Sequence, residues 1–400
     1  MSEANGNEVN AELAAAATAG DPVALCRVLV GVPSVNPALE AGGTGEARIG
    51  AVCAEWLRGW GFETQVIEVT PGRPNVVARH EGAGRGPTLL LNGHLDTVGV
   101  GGMTVPPFGD HEPGERLVGR GCCDMKGGLA GLLAAGRALA ADGHAGELVV
   151  ALTCDEEHAS LGMAALVEGG LKADAAIVCE PTDLAVMPAH KGFVWVEAEF
   201  RGRAAHGSRP DEGIDAIRHA ARFLVGLSGL DEELAAGAPH ALLGHGSVHA
   251  GTIEGGSAAS VYPERCAVTL ERRTLPGEGA EDVLEELGRV LAEASAEEPS
   301  LEAALSEVLT RPGTEVPEEH ALVQGLLAAC TDEGVPSRIE GMTAWVDAAY
   351  LNDVGIPAVC FGPGSIAQAH SADEWIEVGQ IEAAARVLTG FARGFLGSAS

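Results

Sequence analysis

The apolar positions fall into two textures along the chain. Before residue 190, short continuous apolar runs alternate with stretches of helical spacing. NVVARH, TLLLNGH, ELVVALTC and DAAIVCE have strand length, and the last three are apolar on successive positions, as strands buried on both faces are. VALCRVLVGV and the stretch from about Glu46 to Trp60 ahead of them, and Met125 to Ala141 and residues 159–169 between them, carry apolar residues at helical spacing. Asp21-Pro22 offers an N-cap and a first-turn proline to the first of these, and Gly61 stops the second. Residues 1–18, Ala-rich and of low complexity, predict a frayed or loose helix. Apolar strands separated by helices predict an α/β fold, a sheet covered by helices on both faces.

Near Lys191 the texture changes. FVWVEAEFRG alternates with period two, the mark of a strand with one wet face. A helical stretch from Gly213 to Leu230, strands at 248–253 and 265–273, and a charged helix at 279–295 make an α+β unit. After Pro312 the first texture returns, with a helix at 318–333, IPAVCFGPG as a buried strand and turn, and a last helix from Gln380 to Leu396. The expected organisation is one α/β domain, 1–190 and 309–400, interrupted by an α+β insert at 191–308.

Charge and composition narrow the function. With 25 Lys plus Arg against 57 Asp plus Glu, the net charge is −32, which repels phosphate backbones and anionic lipid and sets aside nucleic-acid and membrane-surface roles. No apolar run reaches the ~18 residues of a membrane helix, and the start, MSEANGNEVNAE, lacks the basic and apolar regions of a secretory signal. Nine cysteines, an odd and scattered set without a CxxC pair, read as reduced thiols in a cytoplasmic protein.

Several of the buried runs end in groups that carry chemistry. TLLLNGHLDTV delivers His94 and Asp96, ELVVALTCDEE delivers Asp155, Glu156 and Glu157, and DAAIVCEPT delivers Glu180. GRGCCDMKGG places Asp124 before a glycine pair, and GPGSIAQAHSADE presents His370. Ligands of α/β sheets bind outside the carboxyl ends of strands. One acid there is an ordinary turn or cap residue; several together need a positive charge among them. Imidazole plus carboxylate without paired thiolates suits a catalytic zinc, cobalt or manganese site. Asp96, two residues beyond His94 and on the same side, is placed to accept the second ring N–H and fix the tautomer. Glu156 and Glu157 cannot point the same way, so one can bind metal while the other stays free as a base.

The stretches GHLDTV, GRGCCDMKGG, TCDEE, VCEPT, GRAAHGS, ERRTLPGE and FGPGSIAQAHSADE follow one another between residues 93 and 374. In them the chain resembles the dinuclear zinc hydrolase family of acetylornithine deacetylase, succinyl-diaminopimelate desuccinylase, aminoacylase and carboxypeptidase G. The resemblance implies two divalent metal ions, zinc first, with cobalt or manganese as alternatives. His94, Asp124 and Glu180 would bind one, and Asp124, Glu157 and His370 the other, with Asp124 bridging. Glu156 would be the general base, Asp96 would orient His94, and the Asp124–Met125 peptide would be cis. The insert resembles the family's lid or dimerisation domain. There His206 would stabilise the oxyanion, from its own chain or from a partner in a homodimer, and Arg273 would hold a substrate carboxylate, with Arg272 the alternative.

The chain also departs from the family pattern. Ser260 stands where the family often has Asn, leaving room for a larger group or weakening substrate binding. Cys122, Cys123, Cys154 and Cys179 read as packing residues, and His158 as a neighbour of the site. The remaining histidines, His80, His111, His144, His190, His219, His240, His245, His249 and His320, read as exposed. The implied activity is hydrolysis of an amide in a small N-acyl amino acid. A carboxypeptidase or dipeptidase acting on short peptides is the alternative within the family. A non-catalytic binding protein would have lost a ligand or the base, and none is lost.

Overall fold

The computed structural model describes residues 2–109 and 114–398, with backbone alone over 2–10; His111 lies outside the described residues. The chain forms two compact units. The first comprises residues 1–188, 316–340 and 346–400, and the second Ala189–Glu315 and Gly341–Trp345. The second unit outruns the expected 191–308 because a strand, Glu302–Arg311, carries past residue 308.

Seven strands of the main sheet lie in the order Glu63–Thr70, Arg73–Glu81, Glu147–Thr153, Thr88–His94, Ala175–Val178, Ala358–Cys360 and Val186–His190, the last running past Pro188, where the first segment of the first unit ends. The central four are mutually parallel and the flanking pairs antiparallel. Leu89 and Leu91 join the main core with the helices Gly127–Asp142 and Val378–Leu396. Leu90, on the opposite face, is equally buried. The short helices Leu161–Glu168 and Ala348–Asp353 pack together, the latter against Ala358–Cys360. The expected two-sided α/β sheet is present. Asp21 caps Pro22–Val30, accepting from the Ala24 N–H at 2.7 Å. The N-terminal stretch expected to fray is one helix, Ser2–Ala19.

The second unit is a four-stranded antiparallel sheet, Glu302–Arg311, Gly192–Arg201, Arg265–Thr274 and Ser247–Gly255 in order. The helices Ala216–Ala236 and Ala280–Glu297 supply Phe223, Leu227, Val283 and Leu287 to its core. Period-two burial of Val194, Val196, Ala198 and Phe200 matches the alternation read in the sequence.

Glu63–Thr70 and Glu302–Arg311 are edge strands with no buried residue, so the sequence carries little apolar signal for them. No helix among the described residues is long and apolar enough to cross a membrane. All nine cysteines are buried and unpaired.

Three histidines expected at the surface are buried instead: His144, His190 and His219. Each found a fixed partner. His144 Nδ1 lies 2.9 Å from the Gly146 carbonyl, and His219 Nδ1 lies 3.1 Å from that of Arg201. His190 lies between the Lys191 carbonyl and the Thr314 hydroxyl, each at 3.0 Å. Burial lowers the His190 pKa to about 4. The unfolded chain, titrating near 6.5, therefore takes up a proton before the folded one does. This part of the stability is intact above pH 6.5 and is lost as the pH falls toward 4, by at most ~3 kcal/mol. In metal-free protein, His190→Gln is expected to flatten the fall of Tm over that window; an unchanged profile would show that His190 is not its source.

Candidate metal centre

Register brings the chemical groups together. Thr88–His94 and Glu147–Thr153 run parallel with His94 opposite Thr153, and Asn92 lies opposite Val178 of Ala175–Val178. His94, the Asp155–Glu157 turn and Glu180 therefore leave the sheet at one edge. Asp124 arrives from an irregular turn, Cys122–Lys126, leading into the helix Gly127–Asp142. A Cβ on Gly128 would stand 1.9 Å from the Cys179 carbonyl oxygen. Glycine there lets the segment carrying Asp124 press against the strand end that carries Glu180. The Asp124–Met125 peptide is cis.

Asp124 lies between two imidazoles. Its Oδ1 is 3.0 Å from His94 Nε2 and its Oδ2 is 3.5 Å from His370 Nε2, which is also 2.9 Å from Glu157 Oε2. His94, Asp124 and Glu157 each offer a ligand atom within 4.8 Å of the others. Glu180 is buried nearby; burial would lower the pKa of His94, but the bond to Asp124 and then the charge of Glu180 raise it well above its ordinary value.

Electrostatics marks the cluster as short of positive charge. Burial, reinforced by the charge of Asp124, pushes Glu157 up to about 7. Burial pushes Glu180 to about 8, with Asp124, Asp347 and Glu157 adding to it. Glu156 also lies well above the ordinary range, through burial and the charges of Glu180, Asp347 and Glu157. Asp124 is the exception. Burial would raise it, but its bonds to His370 and His94 outweigh that and hold it low.

The donor set fits divalent metal. One oxygen each of Glu157 and Glu180 is buried without a hydrogen-bond partner, as an oxygen facing a cation would be. The groups are imidazole and carboxylate, and the neighbouring thiols are held protonated: burial pushes Cys154 up to about 12.

Asp96 does something other than expected. The ring Nδ1 of His94 is 3.0 Å from the Asp96 backbone carbonyl, while the carboxylate stands off at 3.6 Å. That carboxylate instead accepts the backbone N–H groups of Glu156 and Glu157 at 3.1 and 3.2 Å, and the Asn36 side chain at 2.8 Å. Asp96 thus meets His94 through its main-chain carbonyl and the two glutamate amides through its side chain.

Sequence reasoning missed a buried frame around this turn. Asp155 is left-handed, φ 66°. Arg73 bonds it at 2.6 Å, Asn36 at 3.0 Å, and its own N–H donates to Glu46 at 3.2 Å. Glu46 and Arg73 are paired. A left-handed non-glycine costs ~1–2 kcal/mol, and these bonds offset it. Asp347 was also missed. It is buried, accepts from the Thr153 hydroxyl at 3.3 Å, and is pushed up to about 7 by burial and the charge of Asp96. It follows no apolar strand run, so nothing local marks it.

Three expected residues lie in the second unit. His206 is exposed, and its Nδ1 lies 2.8 Å from the Ser208 hydroxyl and 3.2 Å from the Ser208 backbone nitrogen. Ser260 is its neighbour, with the Gly207 N–H donating to the Ser260 carbonyl at 2.7 Å. Arg273 bonds the Thr343 carbonyl and lies over the Phe193 ring, and its nearest acid is Glu271 at 4.0 Å. Arg272, the alternative, is buried in ion pairs with Glu286 and Glu278 at 3.0 and 3.2 Å and is closed to substrate. Arg272→Ala is expected to destabilise the protein by about 1.5–3 kcal/mol. Arg273→Ala, which loses one carbonyl bond and a ring contact but no close ion pair, should lower Tm less, and equal losses of Tm would erase the distinction.

Strand ends converging on a cation-poor set of carboxylates and two imidazoles, His94 buried and His370 exposed, mark a divalent-metal centre of the catalytic kind. Comparison with known proteins narrows the class. The model of peptidase family M20/M25/M40 matches residues 90–394. An acetylornithine deacetylase from Myxococcus xanthus is 36% identical over 311 residues, 76% of this chain and 79% of its own. One from Vibrio atlanticus is 30% identical over 366 residues, 90% of this chain and 95% of its own.

Among solved structures, a tripeptidase from Staphylococcus aureus superposes with TM-score 0.78 at 20% identity, covering 94% of this chain and 98% of that one. A dinuclear metal-binding peptidase of the M20 family from Bacillus subtilis superposes with TM-score 0.72 at 16% identity, covering 95% and 99%. These two likenesses speak for the fold alone. The chain belongs to peptidase family M20/M25/M40 and is a metal-dependent amide hydrolase.

Proposed function

We propose that this enzyme removes the acyl group from an N-acyl amino acid, of the kind an acetylornithine deacetylase takes. The observation that carries the reading is Asp124, one oxygen toward each of two imidazoles, inside a ring of carboxylates held above their ordinary pKa. His94, Asp124 and Glu180 would hold one divalent ion, and Asp124, Glu157 and His370 a second. Zinc suits these donors, and cobalt or manganese could replace it. When bound, the ions supply a Lewis acid for the scissile carbonyl and lower the pKa of water.

The chain's own residues do the rest. Glu156 takes the proton of the attacking water on its carboxylate and passes it to the leaving amine nitrogen. Its Oε atoms make no hydrogen bond among the described residues, while its backbone is fixed by Asp96. His206, with Nδ1 taken up by Ser208 and Nε2 making no hydrogen bond among the described residues, would donate from Nε2 to a developing oxyanion. Arg273, whose nearest acid stands 4.0 Å away, would turn its guanidinium to a bidentate pair with the substrate's carboxylate. Ser260 beside His206 leaves more room than Asn would. A homodimer through the second unit belongs to the same reading, since Ser247–Gly255 is an edge strand exposed from His249 onward. The nine unpaired thiols suit the cytoplasm.

A panel of N-acetyl, N-succinyl and N-formyl amino acids and dipeptides, assayed for amine release with and without chelator, tests the substrate class. Chelator-sensitive release from one N-acyl series is expected. Release of a C-terminal amino acid from dipeptides alone would make the enzyme a peptidase. In the same assay His206→Ala should lower kcat by ~10²–10³ and change KM less. An unchanged kcat would remove His206 from the site.

A further inference from the structure

Glu374, four residues beyond His370, is fully buried, and nothing in the reading above uses it. Its two oxygens are both engaged. Oε1 accepts the backbone N–H groups of Cys123 at 2.9 Å and Asp124 at 3.1 Å. Oε2 accepts the Gly121 N–H at 2.9 Å and Arg120 Nη1 at 2.8 Å. Three amides of one turn thus converge on a carboxylate supplied from 250 residues away in the chain.

The turn they belong to is the one that presents Asp124. Its backbone is tied to Glu374, while its carboxylate meets His94 and His370. Arg120 closes the loop from the other side: Nη1 also reaches the Ser371 carbonyl at 3.2 Å, and Nε the Gly99 carbonyl at 2.9 Å. Ser371 adjoins His370, itself held left-handed at φ 61°. Because Arg120 neutralises Glu374 and amides fill its remaining lone pairs, the charge is tolerated without water.

We propose that Glu374 is a positioning residue that locks the Asp124 turn and the His370 loop into one frame and so sets the geometry of the shared metal position. It touches no reacting atom. This rests on the reading of Asp124 and His370 as metal ligands. Groups that orient ligands typically change metal affinity or activity by ~10–100-fold when removed. Glutamine is the informative replacement. Its shape is retained, but whichever way its amide is turned, an NH₂ group faces two N–H donors.

The test uses the full chain with Zn²⁺ and Co²⁺ as probes. E374Q is expected to bind Zn²⁺ ~10–100-fold more weakly in chelator competition. The visible spectrum of its Co²⁺ form should shift, and kcat at saturating metal should fall while KM changes little. E377Q, removing an exposed acid of the same segment, should match wild type. Wild-type Zn²⁺ affinity, Co²⁺ spectrum and kcat in E374Q would overturn the proposal, even with a lower Tm, since Glu374 would then serve the fold alone. If E374Q does not fold, R120K serves. It retains the charge but loses the branched contact to Glu374 and Ser371, and a Co²⁺ spectrum like that of wild type would overturn the proposal. Normal Zn²⁺ binding by Asp124→Ala would instead strike the underlying ligand reading.

Discussion

Glu156→Gln is expected to lower turnover by ~10²–10⁴, the usual worth of a positioned general base, while bound metal stays at the wild-type level. Glutamine retains the shape of glutamate, and the backbone N–H of residue 156 can still donate to Asp96. What disappears is a carboxylate able to accept a proton. The variant separates this role from that of Glu157 next door, whose Oε2 faces His370 at 2.9 Å. It should also stabilise the metal-free protein. Burial and the charges of Glu180, Asp347 and Glu157 all oppose ionisation of Glu156, so removing its charge relieves the folded state. Assays of kcat, bound metal and Tm on one preparation check all three. Near-normal turnover, or loss of metal in step with activity, would take the base assignment away from Glu156.

Asp124→Ala is expected to have the larger consequence for metal. Among the described residues Asp124 is the one carboxylate paired with both His94 and His370, at 3.0 and 3.5 Å, so its removal deprives both proposed positions of a shared oxygen pair. Bound metal should fall from two ions per chain to one or none. Activity should fall by at least ~10³, because Lewis-acid stabilisation is worth several kcal/mol and each 1.36 kcal/mol is tenfold in rate. Loss of activity at full metal content would mean that Asp124 acts on substrate rather than on metal. Retention of both would remove it from the site.

The parts legible in the sequence were those encoded locally. A buried strand declares itself by a continuous apolar run, and a carboxylate or imidazole directly after it is conspicuous; His94, Glu157 and Glu180 were visible on that ground. Asp124 and His370 follow no such run, and glycine-rich turns together with the family resemblance brought them in. The frame that holds these groups was not legible, because its members are remote. Asn36 reaches Asp155 across 119 residues and Arg73 reaches it across 82. Nothing near Arg73 in the sequence distinguishes a buried arginine from a solvated one.

Asp96 shows the limit within a single motif. Strand geometry put it on the side of His94, but only the fold reveals that its carboxylate is taken by the Glu156 and Glu157 amides. His144, His190 and His219 show the opposite bias. Histidine in a polar stretch reads as exposed, yet each is buried against a fixed partner. Glu63–Thr70 escaped because an edge strand has little to bury.

The most direct test is a Zn²⁺ titration of chelator-stripped enzyme, following bound metal by elemental analysis and amine release from an N-acetyl amino acid in parallel. Two ions per chain, no release without metal, and release that rises with metal occupancy are expected. Release that persists without metal, or two bound ions with no release from any N-acyl amino acid or dipeptide, would contradict metal-dependent amide hydrolysis at this centre.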